Sequence, residues 1–454
     1  MTDTLRPTEP GQPEPAPATA PRGGPPMASE EQRGAFVRLV IAIALGLALA
    51  ARYGALKTVL VVMALLVMIM LHELGHFLTA KWGGMKVTEF FVGFGPRLWS
   101  VRKGETEYGV KALPVGGYVK IIGMHNLDRI EDPADEPRTY RQKPFPQRFA
   151  VAVAGSTMHF LIALVLFVAI NVFVGIPGPS LEIADISKVE GERSPAEEAG
   201  FEVGDRIVSV DGRRVTDWDD IPPYIRARPE TDITFVVDRD GAEVALVARP
   251  LDLRTVEGED GKPVVAKPRG FIGIGPLARF ETQGAGSVPM AFGQFLGGDF
   301  GDDPNQVAPG LLDNAKALGS VFSPSGLASY WDNLTGSTDG TASADDESTR
   351  FLSPVGFVGV AKQAADTGIF EVLVLLIAIN LFVGLFNLLP FLPLDGGHVA
   401  VAVYELVRST LRGGKRYFVD VAKLLPLTYV VVLLLVFLGL SSLYLDITDP
   451  LKFE

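Results

Sequence analysis

The sequence predicts a polytopic α-helical membrane protein: four core transmembrane helices, an optional fifth before them, and an extracytoplasmic domain between the second and third core spans. Three observations carry this. The chain of 454 residues has a mean hydropathy of +0.26 although 21% of its residues are charged, which describes long apolar runs set between ordinary polar stretches. Several of those runs approach or exceed the roughly 20 residues that cross a bilayer. Basic residues gather beside the ends of the runs, and acidic ones gather in the long stretch between them. The net charge of -12 comes without a concentrated basic stripe, which argues against a nucleic-acid partner. Cysteine is absent, so disulfides, thiolate metal sites and cysteine nucleophiles are excluded, and any metal must rest on His, Asp or Glu.

Residues 1–34 hold eight prolines and little apolar content, and read as a disordered tail. Within residues 35–57, the uncharged run Leu39 to Ala51 is only 13 residues long between Arg38 and Arg52, and spans only if both arginines snorkel. Residues 58–80 form the first core span, interrupted only by His72, Glu73 and His76 near its far end. The second core span is 149–174, the third 369–397 and the fourth 419–446. Residues 81–148 hold 12 Lys and Arg, and the connection between the last two spans holds Arg408, Arg412, Lys415 and Arg416, so both read as cytoplasmic. Ser180 to Asp366, with 17 basic and 32 acidic residues, falls outside.

The external region opens as a small mixed domain, residues 180–277. Leu181 to Val189 alternates like a strand, Ser194 to Phe201 reads as a short helix ended by glycine, and Gly204 to Gly212 is a strand closed by an Asp-Gly turn. Strands follow at Ile233 to Val237 and Glu243 to Ala248. This order resembles a PDZ domain of the bacterial protease type, which implies peptide binding by strand addition beside Ala199, Gly200 and Phe201. A spacer that limits access to the membrane part is the other reading. Residues 281–368, rich in Gly, Asp, Asn and Ser, read as a flexible acidic insertion.

The chemistry begins at His72-Glu73-Leu74-Gly75-His76. At 100° per residue, positions i and i+4 of a helix lie about 40° apart and one turn along, so both imidazoles can reach one metal ion. Glu73 stands beside them, where a carboxylate can take a proton from the attacking water and later give it to the leaving amine. Two histidines and a glutamate inside an apolar span cost several kcal/mol unless they bind one another, a metal or water. Hydrolytic zinc sites use three protein ligands, and none follows on the same helical face. Asp395, in Leu394-Asp395-Gly396-Gly397, lies at the end of another apolar span on the same cytoplasmic side. Alone it would be a turn with a solvated carboxylate, but beside the first motif it reads as the third ligand. Prolines 390 and 393 unwind the helix before it, and the two glycines permit close packing or a turn.

H-E-x-x-H in one span, Asn387-x-x-Pro390 with Leu394-Asp395-Gly396-Gly397 in a later one, and a PDZ-like domain between them together resemble the site-2 protease family. These are intramembrane zinc metalloproteases, and the bacterial branch is the nearest in pattern. The resemblance covers about Val59 to Leu445. It implies zinc held by His72, His76 and Asp395, Glu73 as general base, and Asn387 as a polar contact to the substrate backbone. Gly84 to Gly123, with Gly93, Gly95, Gly116 and Gly117, looks like the family's membrane-associated β-hairpin, which pairs with an unwound substrate strand. Implied substrates are single-pass membrane proteins, either anti-sigma factors or signal-peptide remnants, in the bacterial cytoplasmic membrane, with the active site near the cytoplasmic side.

Three departures stand out. Ala154-Gly155-Ser156-Thr157-Met158-His159 replaces the usual Ala-Gly-Pro followed by Asn. His159 is thus an added site candidate, as a substrate or water contact, a group near the metal, or a helix-to-helix hydrogen bond. The proline spacing before Leu394 differs by one position, and the extra apolar segment before the core is not typical. His125 and His398 read as polar loop residues. A membrane adaptor with a structural metal site is the alternative; a metal transporter would need repeated halves that this chain lacks. Nothing in the sequence speaks to oligomeric state.

Overall fold

Apolar length and helix-breaking residues fix the helices of the computed structural model, which describes residues 29–124, 130, 132–188, 193–256, 265, 267–297, 309–335 and 353–448. In chain order these are α1 (Ser29–Arg52), α2 (Leu56–Trp82), the strands β1 (Val87–Lys103) and β2 (Thr106–Ile121), and α3 (Phe145–Ala169), extended by a π turn Ile170–Val174. A sheet domain follows with β3 (Ile176–Ile186), α4 (Pro195–Ala199), β4 (Arg206–Val210), β5 (Arg213–Arg214), α5 (Ile221–Arg226), β6 (Ile233–Arg239), β7 (Ala242–Ala248), β8 (Leu251–Asp252), β9 (Gly270–Phe271) and β10 (Ile274–Glu281). The remaining helices are α6 (Val288–Leu296), α7 (Leu311–Val321), α8 (Pro324–Thr335), α9 (Pro354–Thr367), α10 (Ile369–Asn387), α11 (Asp395–Leu411) and α12 (Leu425–Thr448).

Among the described residues, five helical segments are long and apolar enough to cross a membrane: Glu30–Arg52, Leu56–Trp82, Phe145–Val174, Ile369–Asn387 and Ala422–Thr448. The first corrects the tail boundary, because residues 29–34 are helical rather than disordered. The helix runs through Arg38, so the helical segment available is the 23 residues Glu30–Arg52, although its uncharged run remains Leu39 to Ala51. The rest of the proline-rich tail lies outside the described residues. The third span is also shorter than expected: α10 stops at Asn387, and Asp395 opens a separate helix. Pro390 and Pro393 cannot continue the helix, and Gly397 lets α11 start hard against the loop before it, since a Cβ there would lie 2.5 Å from the Leu392 nitrogen.

The sheet domain is antiparallel in the order β10-β3-β4-β6-β7, with β5 beside β4. Alternate residues of β4 and β6 (Ile207, Ile233, Phe235, Val237) join Phe201, Trp218 and Ile221 in one core. The supposed flexible insertion is corrected as well. Its described parts form α6 to α9, and they dock: the Tyr330 hydroxyl lies 2.6 Å from Ser441 Oγ on α12, and Ala361 and Ala365 of α9 bury against Val61 of α2. Small residues in short amphipathic turns, not long apolar runs, make these contacts, so composition alone concealed them. The polar run 336–349 lies outside the described residues.

A further core joins α2, the hairpin and α3. Ala80 of α2 and Met85 just after it, Val87 and Ile121 of the hairpin, Tyr140 ahead of α3 and Val151 within it bury together. The α2 and α3 backbones approach closely at Gly75, where a Cβ would lie 2.7 Å from the Ala154 carbonyl oxygen.

Candidate metal centre

Two turns of α2 and the first residue of α11 bring three donor atoms together. His76 Nε2 lies 3.2 Å from His72 Nε2 and 3.2 Å from Asp395 Oδ2, and His72 Nε2 lies 3.4 Å from the same oxygen. Both histidines are buried, and the Asp395 side chain is 18% exposed. His76 Nδ1 lies 2.7 Å from the Val151 carbonyl oxygen, which can only accept. The proton of a neutral His76 therefore sits on Nδ1, and Nε2 presents a bare lone pair. One proton can join only one pair among three basic atoms, whereas a cation satisfies all three at once. Two imidazole nitrogens and a carboxylate oxygen are also the three-ligand pattern of hydrolytic zinc sites, so the residues fit that ion.

The neighbours are arranged around this triad. Gly155 of α3 lies against both rings: a Cβ there would be 2.5 Å from His72 Nδ1 and 2.5 Å from His76 Nε2. Glu73 points toward the hairpin, with its Cγ 3.4 Å from where a Cβ of Gly117 would stand, and the Val119 backbone lies within hydrogen-bonding reach of its carboxylate. On the far side, the His159 ring is tilted 4.9 Å from that of His72. Its Nδ1 donates to Asn380 Oδ1 at 3.0 Å, while the Asn380 amide donates to the Leu376 carbonyl at 2.7 Å. His159 thus bridges α3 and α10.

The hairpin is more folded than a simple pair of strands. Glu89 pairs with both Lys120 and Glu107, and Phe91 with both Tyr118 and Gly109, so residues 89–92 lie between the two halves of β2. Gly93 and Gly95 turn the chain there with φ of 82° and 84°. Residues 117–121 are left as an outer segment of the sheet, beside Glu73. Gly116 is buried next to the Phe94 ring.

Other expected residues fall elsewhere. Asn387 closes α10, half-buried. Ala199 and Gly200 end α4 in the sheet domain, where the Gly200 carbonyl accepts from Arg239 at 2.7 Å. Phe201 is corrected: its ring is 4% exposed and packs 5.3 Å from Phe235, so it is a core side chain and not a groove contact. His398 stands in the first turn of α11, not a loop, with its ring 6.3 Å from Tyr140; His125 lies outside the described residues. Val151, Gly155 and Asn380 were missed. Asn380 carried a signal, being a polar residue inside an apolar span, whereas Val151 acts through its backbone and has none.

The chain is similar to known proteins over most of its length. Zinc metalloprotease Rip1 of Mycobacterium tuberculosis is 32% identical over 418 residues, covering 87% of this chain and 98% of the relative. Rip1 of Mycolicibacterium smegmatis is 31% identical over 426 residues, with the same shares covered. The model of Peptidase family M50 matches residues 60–427, which include His72, Glu73, His76 and Asp395. The chain therefore belongs to peptidase family M50, the site-2 protease family.

Proposed function

We propose that His72, His76 and Asp395 hold the zinc ion of this intramembrane metalloendopeptidase, that Glu73 is its general base, and that the outer hairpin segment 117–121 receives the substrate. The chain is a zinc metalloprotease of the membrane; the residue roles are our reading. The observation that carries it is the convergence of three basic atoms, one with its tautomer fixed by Val151, beside a glutamate that faces an outer strand. Zinc, when bound, polarises the scissile carbonyl and makes water acidic enough to lose a proton near neutral pH. Glu73 accepts that proton and returns it to the departing amine. A helical substrate hides its scissile amide, so the cleaved stretch must unwind. Backbone groups of residues 117–121 satisfy it by strand addition, and Asn387 supplies a polar contact near the end of α10.

The substrates on this reading are single-pass membrane proteins, anti-sigma factors or signal-peptide remnants, in a bacterial cytoplasmic membrane. The basic loops at 81–148 and 408–416 lie in the cytoplasm, and the sheet domain lies outside as a PDZ-like unit beside Ala199 and Gly200. Zinc content of the purified full chain tests the ligand set. His72→Ala, His76→Ala and Asp395→Asn should each lower zinc affinity while Glu73→Gln does not. Full zinc in all three ligand variants would refute the assignment.

A further inference from the structure

Asp395 follows a stretch of non-helical backbone. The residues before it, 388–394, form turns closed by backbone hydrogen bonds such as Leu394 N–H to the Phe391 carbonyl, and Pro390 and Pro393 stop α10 from running on into α11 as one rigid helix. What α11 touches along its length therefore also sets where its first residue lies. Arg148 on α3 and Glu405 on α11 form an ion pair, Nη1 to Oε2 at 2.5 Å, with side chains 9% and 5% exposed. The other Glu405 oxygen accepts from the Val419 backbone N–H at 2.7 Å. Tyr140 donates its hydroxyl to the Arg148 carbonyl at 3.2 Å and sets its ring edge against His398. Beyond α11, Arg416 Nη2 donates to the carbonyls of Arg141, Gln142 and Lys143 at 3.1, 2.8 and 3.0 Å.

These contacts converge on one stretch. Arg148 lies about one helical turn before Val151, whose carbonyl orients His76, and about two turns before Gly155, which lies against both histidines. Glu405 lies ten residues after Asp395, about 15 Å along α11. The same part of α3 therefore orients His76, packs against both histidines and holds the helix that carries Asp395. We propose that Arg148 and Glu405 are a positioning pair: they set the register of α11 on α3 and so bring the Asp395 carboxylate to His72 and His76. The inference rests on the proposed zinc role of Asp395.

A buried pair adds little net stability over apolar side chains of the same size, but removing one partner leaves an uncompensated charge that the helix relieves by moving. The test measures zinc affinity of the full chain, by competition with a chelator, on the folded, monodisperse fraction of each variant. Arg148→Met and Glu405→Leu, each alone, should weaken zinc binding about ten- to a hundredfold. The combined Arg148→Met/Glu405→Leu variant, which keeps the helices packed, should recover most of that, and Arg148→Lys should fall between. In an Asp395→Asn background, Glu405→Leu should change zinc affinity no further, because its effect passes through the missing carboxylate.

Wild-type zinc affinity in both single variants would overturn the proposal. So would the same loss from Glu405→Leu with and without Asp395, which would mark the pair as general scaffolding. If the single variants do not fold, an Arg148→Lys protein with wild-type affinity overturns it. Undiminished zinc in Asp395→Asn itself would instead defeat the ligand assignment, and the positioning role with it.

Discussion

Adding one methyl group at Gly155 should disable the centre without unfolding the protein. In Gly155→Ala the new Cβ would stand 2.3 Å from His72 Cε1 and 2.5 Å from both His72 Nδ1 and His76 Nε2, whereas ordinary contact begins at 3.4 Å. About 1.1 Å must be found at the nearest atom, and dispersion contacts turn steeply repulsive at such separations. The α3 backbone has little freedom to retreat: Val151, about one turn away, holds His76 Nδ1 at 2.7 Å, and Gly75 already packs against Ala154. Most of the displacement therefore falls on the two donor rings. A misplacement of about 1 Å in a reacting constellation costs about a hundredfold in turnover, equivalent to about 2.7 kcal/mol. The overpacking penalty on stability should be about 1–3 kcal/mol.

The assay is zinc content and kcat/KM for a tagged single-pass substrate, beside Val165→Ala, a change of an exposed side chain on the same helix that should behave as wild type. If Gly155→Ala kept its zinc and cleaved within about threefold of wild type, the histidines could not lie against α3 as described.

Three further outcomes follow from the geometry. Gly117→Ala places a Cβ 2.5 Å from Met70 Sδ, so it should push the outer strand from Glu73 and lower kcat/KM about tenfold; adding Met70→Ala should restore it, and failure to do so would mean the strand is not seated there. In the sheet domain, burial alone would raise the Asp205 carboxyl, but Arg239 at 2.7 and 2.8 Å and the Glu202 N–H at 2.9 Å outweigh it and hold the group below its ordinary 3.8. The folded value is thus below the unfolded one, so the contribution is complete above the unfolded value and is lost as pH falls through the folded one. Urea unfolding followed through Trp218 should show Arg239→Met less stable than wild type at about pH 6, with the gap narrowing below about pH 4; a gap independent of pH would refute it. Asn380→Leu should leave the His159 N–H without an acceptor and destabilise the α3–α10 contact by about 1–3 kcal/mol, read as a lower unfolding temperature, and an unchanged temperature would contradict that bond.

The parts of this fold that depend on length and spacing were legible. Apolar runs marked the long apolar helices, and i, i+4 spacing put His72 and His76 on one face of α2. Asp395 was readable only as the partner of that motif, since an Asp-Gly-Gly turn is ordinary by itself. What the sequence concealed was made by backbone or by tertiary contact. The Val151 carbonyl that fixes the His76 tautomer has no side-chain signature, and the close approach at Gly155 shows only when α3 is laid on α2. Phe201 misled because a short-range PDZ-like pattern places it beside a groove, whereas β6 supplies Phe235 to bury it. Residues 29–34 misled for a different reason: their polar composition near the prolines outweighed a helix start that carries Glu30 and Glu31 in its first turn.

The most direct test of the central claim is cleavage by wild type and Glu73→Gln at matched zinc occupancy, using a single-pass substrate shortened outside the membrane. Loss of a carboxylate that accepts and returns the proton should abolish cutting while zinc content and substrate binding remain. Cleavage by Glu73→Gln at the wild-type rate would contradict the account.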